Sequence, residues 1–473
     1  MGTTNLRLEK VPTHSSMQKS HMKKGRGVWR AEVCEAFSVA RSIDGTAHIS
    51  LVPRTRAPHG RAPTTCSASA KDSRTNTSVT PRIRDSGGML SLVVTAVATV
   101  HFFTCRHGYE QPLAAELERN GARHVNTPCQ AVVSAEFDTV EVLPDPAYAL
   151  QILPSAVEIS GMSVKSLASN AAAALGVANG ATSFDDETSN ELLNSACRGA
   201  LTVHALVPDL LRGTPPQKCR LLRRCSAVAD ALTGSLRRRY AAARPPRGPE
   251  GSPSDGKRDG QVLLQLLLLT PEQLMLSVAL VQEHSSQLGF WPSPIPAGLV
   301  DTTLPGYMPS SAYRKLGEAL VCGFADGLPS PYSQCVDLGA CPGGWTAYLR
   351  RVHDCRVVAV DRQPVAAALM ADPMVTFESG DAFIYEPQDA PVEWLVSDVI
   401  AFPERVSELL ERWCGGRWAQ NMVVTMKFRG AEPDWGALEA AVQIAASHGF
   451  KCRVKHFFSN KNEVTLMLRS AIS

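Results

Sequence analysis

The ten residues Val336-Asp337-Leu338-Gly339-Ala340-Cys341-Pro342-Gly343-Gly344-Trp345 read as a buried strand running into a glycine-rich turn, with Trp345 opening a helix. Glycine lacks the Cβ that would hold a ligand away, so such a turn lets backbone approach a bound group closely. The run is not the dinucleotide pattern Gly-x-Gly-x-x-Gly, and it has no Lys-Ser/Thr for a phosphate loop. Two carboxylates follow at the ends of expected strands. Asp361 closes Val358-Ala359-Val360-Asp361, and Asp381 sits in Ser379-Gly380-Asp381-Ala382-Phe383. In a nucleotide-binding sheet, a carboxylate ending the second strand suits ribose hydroxyls. An acceptor after the third strand suits a base amino group. A strand-end Asp often does no more than cap the next helix. The order of both residues behind the glycine turn is what favours a ligand role.

These residues need a sheet to hold them. From residue 310 the chain alternates between helical and extended patterns. A helix at 311–323 leads to a strand at 335–338, a helix at 345–351 and a strand at 356–360. Further strands are expected at 375–378, 394–397, 422–426, 451–458 and 463–469. Alternation of this kind predicts a doubly wound α/β sheet that binds its ligand at the carboxyl ends of the strands. The last two strands flank Ser459-Asn460-Lys461-Asn462. They form a hairpin, which puts an antiparallel strand into an otherwise parallel sheet.

The upstream chain has a different character. Residues 97–105 are apolar and β-branched, hence a strand. Arg106-His107-Gly108-Tyr109-Glu110 is a turn, and 112–120 a helix with a proline near its start. Strands at 131–143 and on to 159 complete a small α+β module, with a border drawn at 190. Residues 160–190 are rich in Ala, Ser and Asn and weakly patterned. A strand at 201–207, a basic helix within 216–240 and strands at 262–269 and 274–281 form a second module. Residues 244–260 read as a Pro/Gly-rich surface loop. Residues 288–308 read as an extended linker. The expected domains are therefore 1–88, 89–190, 191–300 and 301–473.

Composition narrows the function. A chain of 473 residues that is 44% hydrophobic builds real cores in two or three domains. The net charge of +3 is unevenly spread. Residues 1–88 carry 15 Lys/Arg against 6 Asp/Glu and residues 201–260 carry 12 against 5, which leaves the remainder acidic. A basic middle segment suits phosphate contacts; a solvated arginine-rich helix is the plainer alternative. The 13 cysteines show no Cys-x-x-Cys pair and no zinc spacing, so free thiols and no metal are expected. Apolar runs at 90–100 and 262–269 fall short of the ~20 residues of a membrane helix, so no membrane contact is expected. Residues 1–88 lack a sustained period and read as mostly disordered. They are basic, hydroxyl-rich and acid-poor, which also fits an organellar transit segment.

The Pro342-Gly343-Gly344-Trp345 ending resembles the S-adenosylmethionine loop of the FtsJ-type ribose 2′-O-methyltransferases. The resemblance implies a class I, Rossmann-like methyltransferase domain with S-adenosylmethionine as cofactor. Gly339, Cys341, Pro342, Gly343, Gly344 and Trp345 would bind its amino-acid and ribose parts. Asp361 would take the ribose hydroxyls, Asp381 the adenine, and Asp398 would lie near the donor methyl. That family carries a Lys-Asp-Lys-Glu tetrad, and this chain matches it in order. Ser310-Ser311-Ala312-Tyr313-Arg314-Lys315-Leu316 gives Lys315, and Val396-Ser397-Asp398-Val399 gives Asp398. Thr425-Met426-Lys427-Phe428 gives Lys427, and Asn462-Glu463-Val464-Thr465 gives Glu463. A free lysine, with a pKa of about 10.4, is protonated at neutral pH. A base role therefore needs a second ammonium, a sulfonium and desolvation nearby. On this reading Lys427 takes the 2′-hydroxyl proton, Lys315 perturbs it and orients the hydroxyl, Asp398 positions Lys427, and Glu463 anchors a lysine.

The resemblance extends over residues 93–473 to the RlmM-type enzymes, which act on a cytidine ribose of large-subunit ribosomal RNA. Arg106 to Glu110 match their Arg-x-Gly-aromatic-Glu turn. It implies ferredoxin-like and THUMP-like RNA-binding modules ahead of the catalytic domain, ribosomal RNA as partner, and a monomer. Three departures stand out. Ser311 replaces an arginine of the opening motif, the loop 244–260 is an insertion, and residues 1–88 have no counterpart. The alternatives are a ribosome-assembly or RNA-binding factor that keeps the fold, and 2′-O-methylation of transfer RNA or an mRNA cap. The basic extension favours an organelle as the compartment, with the cytoplasm as the alternative.

Overall fold

The computed structural model describes residues 38–41, 47–50, 99–137, 144–177, 183–184, 187–196, 200–209, 219–237, 241–243, 260–296, 302–324, 327–430 and 432–471. Most of the 1–88 segment and residues 244–259 of the surface loop lie outside them. In the segment's described part, β1 (Ser38–Arg41) pairs antiparallel with β2 (Ala47–Ser50).

The first module contains β3 (Thr99–Thr104), α1 (Glu110–Arg119), β4 (Arg123–Cys129), β5 (Val132–Phe137) and β6 (Gln151–Leu153). Its strands form an antiparallel sheet in the order β4-β5-β3-β6. The second module contains β7 (Val157–Ser160), α2 (Val164–Ala174), α3 (Glu187–Ala196), β8 (Ala200–Leu206), α4 (Arg220–Leu236), β9 (Ala241–Ala243), β10 (Val262–Thr270) and β11 (Gln273–Leu280). Its sheet runs β7-β11-β10-β8-β9. The border drawn at 190 is wrong: β7 pairs with β11, so the second module starts before residue 160. The helices of 160–196 were missed because the Ala-rich α2 lacks charged signposts. Its start is set by Ser163, whose hydroxyl accepts the Ser166 N–H while Ser166 returns the bond to the Ser163 N–H.

The uninterrupted apolar run of β10 follows from cover on both faces. Leu264, Leu266 and Leu268 pack with Val228 and Leu232 of α4, while Leu267 and Leu269 meet Phe102 and Leu153 of the first module. Truncating Leu266 to alanine would cost about 2–5 kcal/mol. The stretch read as a linker is partly core. β12 (Gln282–Glu283) pairs with β13 (Phe290–Trp291), both residues of β13 are buried, and the Trp291 indole donates to the Pro144 carbonyl at 2.9 Å.

The third unit contains α5 (Tyr313–Gly323), β14 (Gln334–Leu338), α6 (Gly344–His353), β15 (Arg356–Asp361), α7 (Ala367–Met370), β16 (Val375–Ser379), β17 (Val392–Ser397), α8 (Pro403–Gly415), β18 (Ala419–Lys427), α9 (Trp435–Ser447), β19 (Phe450–Lys455) and β20 (Glu463–Ser470). Its seven strands run β16-β15-β14-β17-β18-β20-β19, and β20 is antiparallel to both neighbours. This is the expected doubly wound sheet with its closing hairpin. The order reverses between β14 and β17, which opens the ligand crevice there. One hydrophobic cluster runs from Phe103, Leu113 and Ile152 of the first module into Trp413, Leu438 and Phe450 of this unit. The first module therefore shares a core with the third. Among the described residues no helix is long and apolar enough to cross a membrane.

Candidate active site

The crevice gathers residues from several elements. The first turn of α5 carries Lys315, buried because Leu316, Ala319 and Leu320 turn that helix into the core. Trp345 fixes where the helix begins: its indole donates to the Ala312 carbonyl at 2.8 Å and its ring is buried in the same cluster. The Trp345 side chain thus braces α5 and is not displayed to the crevice.

The Lys315 ammonium lies 2.6 Å from either carboxylate oxygen of Asp398 and 3.1 Å from Glu463 Oε1. Lys427 ends β18. Its ammonium donates to the carbonyls of Asp398 at 2.7 Å and Val399 at 3.2 Å, and lies 3.1 Å from Asp398 Oδ1. The Thr425 hydroxyl donates to Asp398 Oδ1 at 2.7 Å. The Lys461 N–H donates to Glu463 Oε1 at 3.2 Å. Two ammoniums and two carboxylates therefore balance inside one site, which is what burial of charge requires. The lysines differ in access. The Lys427 side chain keeps 23% of its surface and that of Lys315 only 7%, so Lys427 is the one a substrate can reach.

The glycine loop lies beside this quartet. Gly339 has φ +76°, and a Cβ there would stand 3.1 Å from Val399 Cα, whose carbonyl holds Lys427. Gly343 has φ +105° and precedes α6; a Cβ would drive into Leu369 Cδ1. A Cβ on Gly344 would strike the Ser310 hydroxyl. The Ser397 hydroxyl donates to the Leu338 carbonyl at 3.1 Å and ties the ends of β17 and β14 together.

Cys341 and Pro342 are exposed at the rim. Partial desolvation and the nearby Asp361 push the Cys341 thiol up. Asp361 accepts the N–H groups of Cys341 at 3.0 Å and Gln363 at 2.9 Å, bracing the loop from the end of β15. Asp381 accepts the Phe383 N–H at 2.9 Å and pairs with Arg362 at 2.6 Å; these contacts hold its carboxyl below the ordinary value. Asp337 is wholly inside. Desolvation pushes it up to about 7, against the pull of Thr346, whose hydroxyl donates to it at 2.6 Å.

A nucleoside bearing an amino-acid chain fits these residues. The loop places backbone without side chains at the crevice, and Asp361 and Asp381 stand at the ends of the second and third strands of the alternating series. Sequence reasoning missed Thr425 and Ser397, which hold Asp398 and the strand ends. It also missed the exposed Ile400 and Phe402 after Asp398, with the Arg429 guanidinium 3.1 Å from the Phe402 ring centroid. Two features could have drawn attention to them. Thr425 is a hydroxyl two residues before a strand-end lysine, and Ile400 and Phe402 are apolar residues in a loop.

The strand order and the glycine crevice define a class I, Rossmann-like methyltransferase fold. Residues 310–421 match the model of the FtsJ-like methyltransferase family. The chain is 33% identical over 184 residues to the ribosomal RNA large subunit methyltransferase M of Halorhodospira halophila, a match covering 39% of this chain and 52% of that protein. It is 33% identical over 221 residues to the protein of the same name from Laribacter hongkongensis, covering 45% and 60%. The chain thus spans about half to three-fifths of the length of these relatives. The Methanococcus jannaschii fibrillarin pre-rRNA processing protein is 18% identical, covering 30% of this chain and 67% of that one, with a TM-score of 0.24, too slight a likeness to argue from.

Proposed function

We propose that this chain transfers the methyl group of S-adenosylmethionine to a ribose 2′-hydroxyl of large-subunit ribosomal RNA. One observation carries the reading above the rest: Lys427, Asp398, Lys315 and Glu463 form one charge-balanced cluster, with Val399 bridging Lys427 to the glycine loop. When bound, the cofactor supplies an electrophilic methyl group on a sulfonium. Gly339, Cys341, Pro342, Gly343 and Gly344 would face its amino-acid and ribose parts through backbone, and Trp345 would help by fixing the start of α6 against α5. Asp361 would accept from the ribose hydroxyls and Asp381 from the adenine.

In this reading Lys427 removes the proton from the 2′-hydroxyl as the oxygen takes the methyl. Asp398 orients Lys427 through its carbonyl and carboxylate. Glu463 anchors Lys315. The ribose would lie on the side where Lys427 is open; the Phe402–Arg429 pair follows Asp398 and Lys427 in the chain. An arginine stacked on an exposed aromatic ring suits an unstacked base.

The two N-terminal modules, read as ferredoxin-like and THUMP-like, would bind the RNA as part of a monomer. Exposed Arg220 and Arg223 on α4, and Arg237 just past its end, suit phosphates. Arg224 does not, because it braces the carbonyls of Pro271 at 2.6 Å and Met162 at 3.0 Å. The basic first 88 residues support an organellar address, which a fluorescent fusion would test.

The decisive experiment offers labelled S-adenosylmethionine to unmodified large-subunit ribosomal RNA, with wild type beside Lys427→Ala. Label in ribose with the wild type alone is expected. Absence of label on every RNA offered, with cofactor still bound, would overturn the proposal.

A further inference from the structure

The turn that leads into Glu463 is held from within its hairpin, where Asn460 bonds to the Phe457 N–H and to Thr465, and also from outside it. Residue by residue, different parts of the chain grip it. Ser459 gives its N–H at 3.1 Å and its hydroxyl at 2.9 Å to the buried carboxyl of Glu318, one helical turn after Lys315 on α5. The Asn460 carbonyl accepts from the guanidinium of Arg106, 354 residues earlier in the chain, and the Phe457 carbonyl accepts from the same nitrogen at 3.4 Å. The Lys461 carbonyl accepts from the Tyr109 hydroxyl at 2.8 Å. Asn462 donates to the Phe428 carbonyl at 3.1 Å. The Tyr109 ring packs on His456 with centroids 4.0 Å apart, and His456 Nε2 stands 2.9 Å from the same Lys461 carbonyl.

These grips converge on one residue. The Lys461 N–H donates to Glu463 Oε1, and that oxygen receives the Lys315 ammonium at 3.1 Å. Lys315 in turn holds Asp398, which holds Lys427. Arg106 is only 6% exposed, so its guanidinium is closed to RNA phosphate. The sequence singled out the turn at 106–110, and its place against the catalytic hairpin gives it a purpose beyond folding its own module.

We propose that Arg106 and Tyr109 are positioning residues of the active site: through the turn at 459–462 they set the carboxylate of Glu463 and hence the ammonium of Lys315. This rests on the proposed methyl transfer for its kinetic consequence and on geometry alone for its structural one. The N-terminal module then does more than deliver RNA, because its docked turn helps to set the geometry of the quartet. A contact that aligns the quartet affects turnover, whereas a contact that binds RNA affects KM.

The test uses the full chain and has two readouts. The first is hydrogen exchange across residues 459–463, in wild type, Tyr109→Phe, Arg106→Gln and Arg106→Lys, without RNA. Tyr109→Phe and Arg106→Gln are expected to exchange at least about tenfold faster there, with the rest of the third unit unchanged; Arg106→Lys recovers part of the protection. The second is steady-state methyl transfer to ribosomal RNA. Tyr109→Phe is expected to lower kcat about tenfold, since small misplacements of catalytic groups cost that much or more, with KM for RNA and cofactor affinity unchanged. Exchange at 459–463 that stays at the wild-type rate in all variants overturns the inference, whatever the RNA data show. A loss confined to KM also overturns it. If wild type itself transfers no methyl, the functional proposal fails, and exchange alone decides this one.

Discussion

Lys427 and Glu463 are directly paired residues of the antiparallel ladder between β18 and β20, yet each side chain takes a different partner. Glu463 reaches Lys315, Lys427 reaches Asp398, and Asp398 closes the circuit by holding Lys315 as well. Register in a ladder fixes both residues on one face of the sheet. The pairing therefore places a carboxylate and an ammonium side by side without letting them neutralise each other.

Lys427→Ala should remove the acceptor of the hydroxyl proton and leave the glycine loop untouched. General-base catalysis contributes about 10²–10⁴-fold, so methyl transfer should fall by about that factor while calorimetry shows unchanged cofactor affinity. Lys427→Arg should fare no better, because a guanidinium holds its proton at any working pH. Recovery of activity with arginine would mean that the residue serves by its charge alone.

Lys315 is the buried counter-ion of two carboxylates, so removing it costs more than a surface charge would. Lys315→Met leaves Glu463 without its ammonium partner. Breaking a buried pair from one side costs about 3–5 kcal/mol. Denaturant unfolding should show a loss of that size, and transfer should be lost with it. A stability unchanged from wild type would place Lys315 outside the folded charge network.

The strand framework of the candidate site was legible in the sequence: Asp361, Asp381, Asp398 and Lys427 all sit at or just beyond the carboxyl ends of strands whose apolar runs are plain. The turn at 459–462 was equally plain as a hairpin. Contacts between distant segments were not legible. Nothing local says that Arg106 meets Asn460 or that Trp345 spends its indole on Ala312. The border at 190 failed for a related reason: β7 is four residues long, and only its pairing with β11 assigns it to the second module. Thr425 supports Asp398 from within a buried strand, where a lone hydroxyl looks like ordinary β propensity.

Buried carboxyls give a stability signature against pH. Glu116, Glu318 and Asp337 are each pushed up to about 7, chiefly by desolvation. Unfolded carboxyls titrate near 4, so between about 4 and 7 the folded chain holds more protons than the unfolded one. Their contribution to stability falls as pH rises through that window. His284 opposes this. Burial pushes it down to about 4, so its contribution grows with pH and is complete near 6.5. Above that point the carboxyls act without this opposition. The Tm should drop between pH 6.5 and pH 8, and Glu318→Gln should flatten the drop. A Tm that rises over that interval would contradict the desolvated state assigned to these groups.

Gly339 lies against Val399, whose carbonyl holds Lys427, so a substitution there tests whether the proposed cofactor loop and the proposed base are coupled. Its φ of +76° is a left-handed conformation that a side chain adopts only under strain, and a Cβ would stand 3.1 Å from Val399 Cα and 3.2 Å from Val399 Cβ. Relief requires Val399 to shift, and Val399 offers one of the carbonyls that hold the Lys427 ammonium. Gly339→Ala should therefore damage two functions at once: cofactor affinity, by disturbing the loop, and turnover at saturating cofactor, by moving Lys427. Gly343→Ala strains the same loop but presses on Leu369 and Val365 instead, away from Val399. It should weaken cofactor binding with a smaller loss of turnover once cofactor saturates. Calorimetric titration with S-adenosylmethionine beside saturated methyl transfer separates the two. Equal losses of saturated turnover in both variants would mean that the glycine loop does not communicate with Lys427 through Val399.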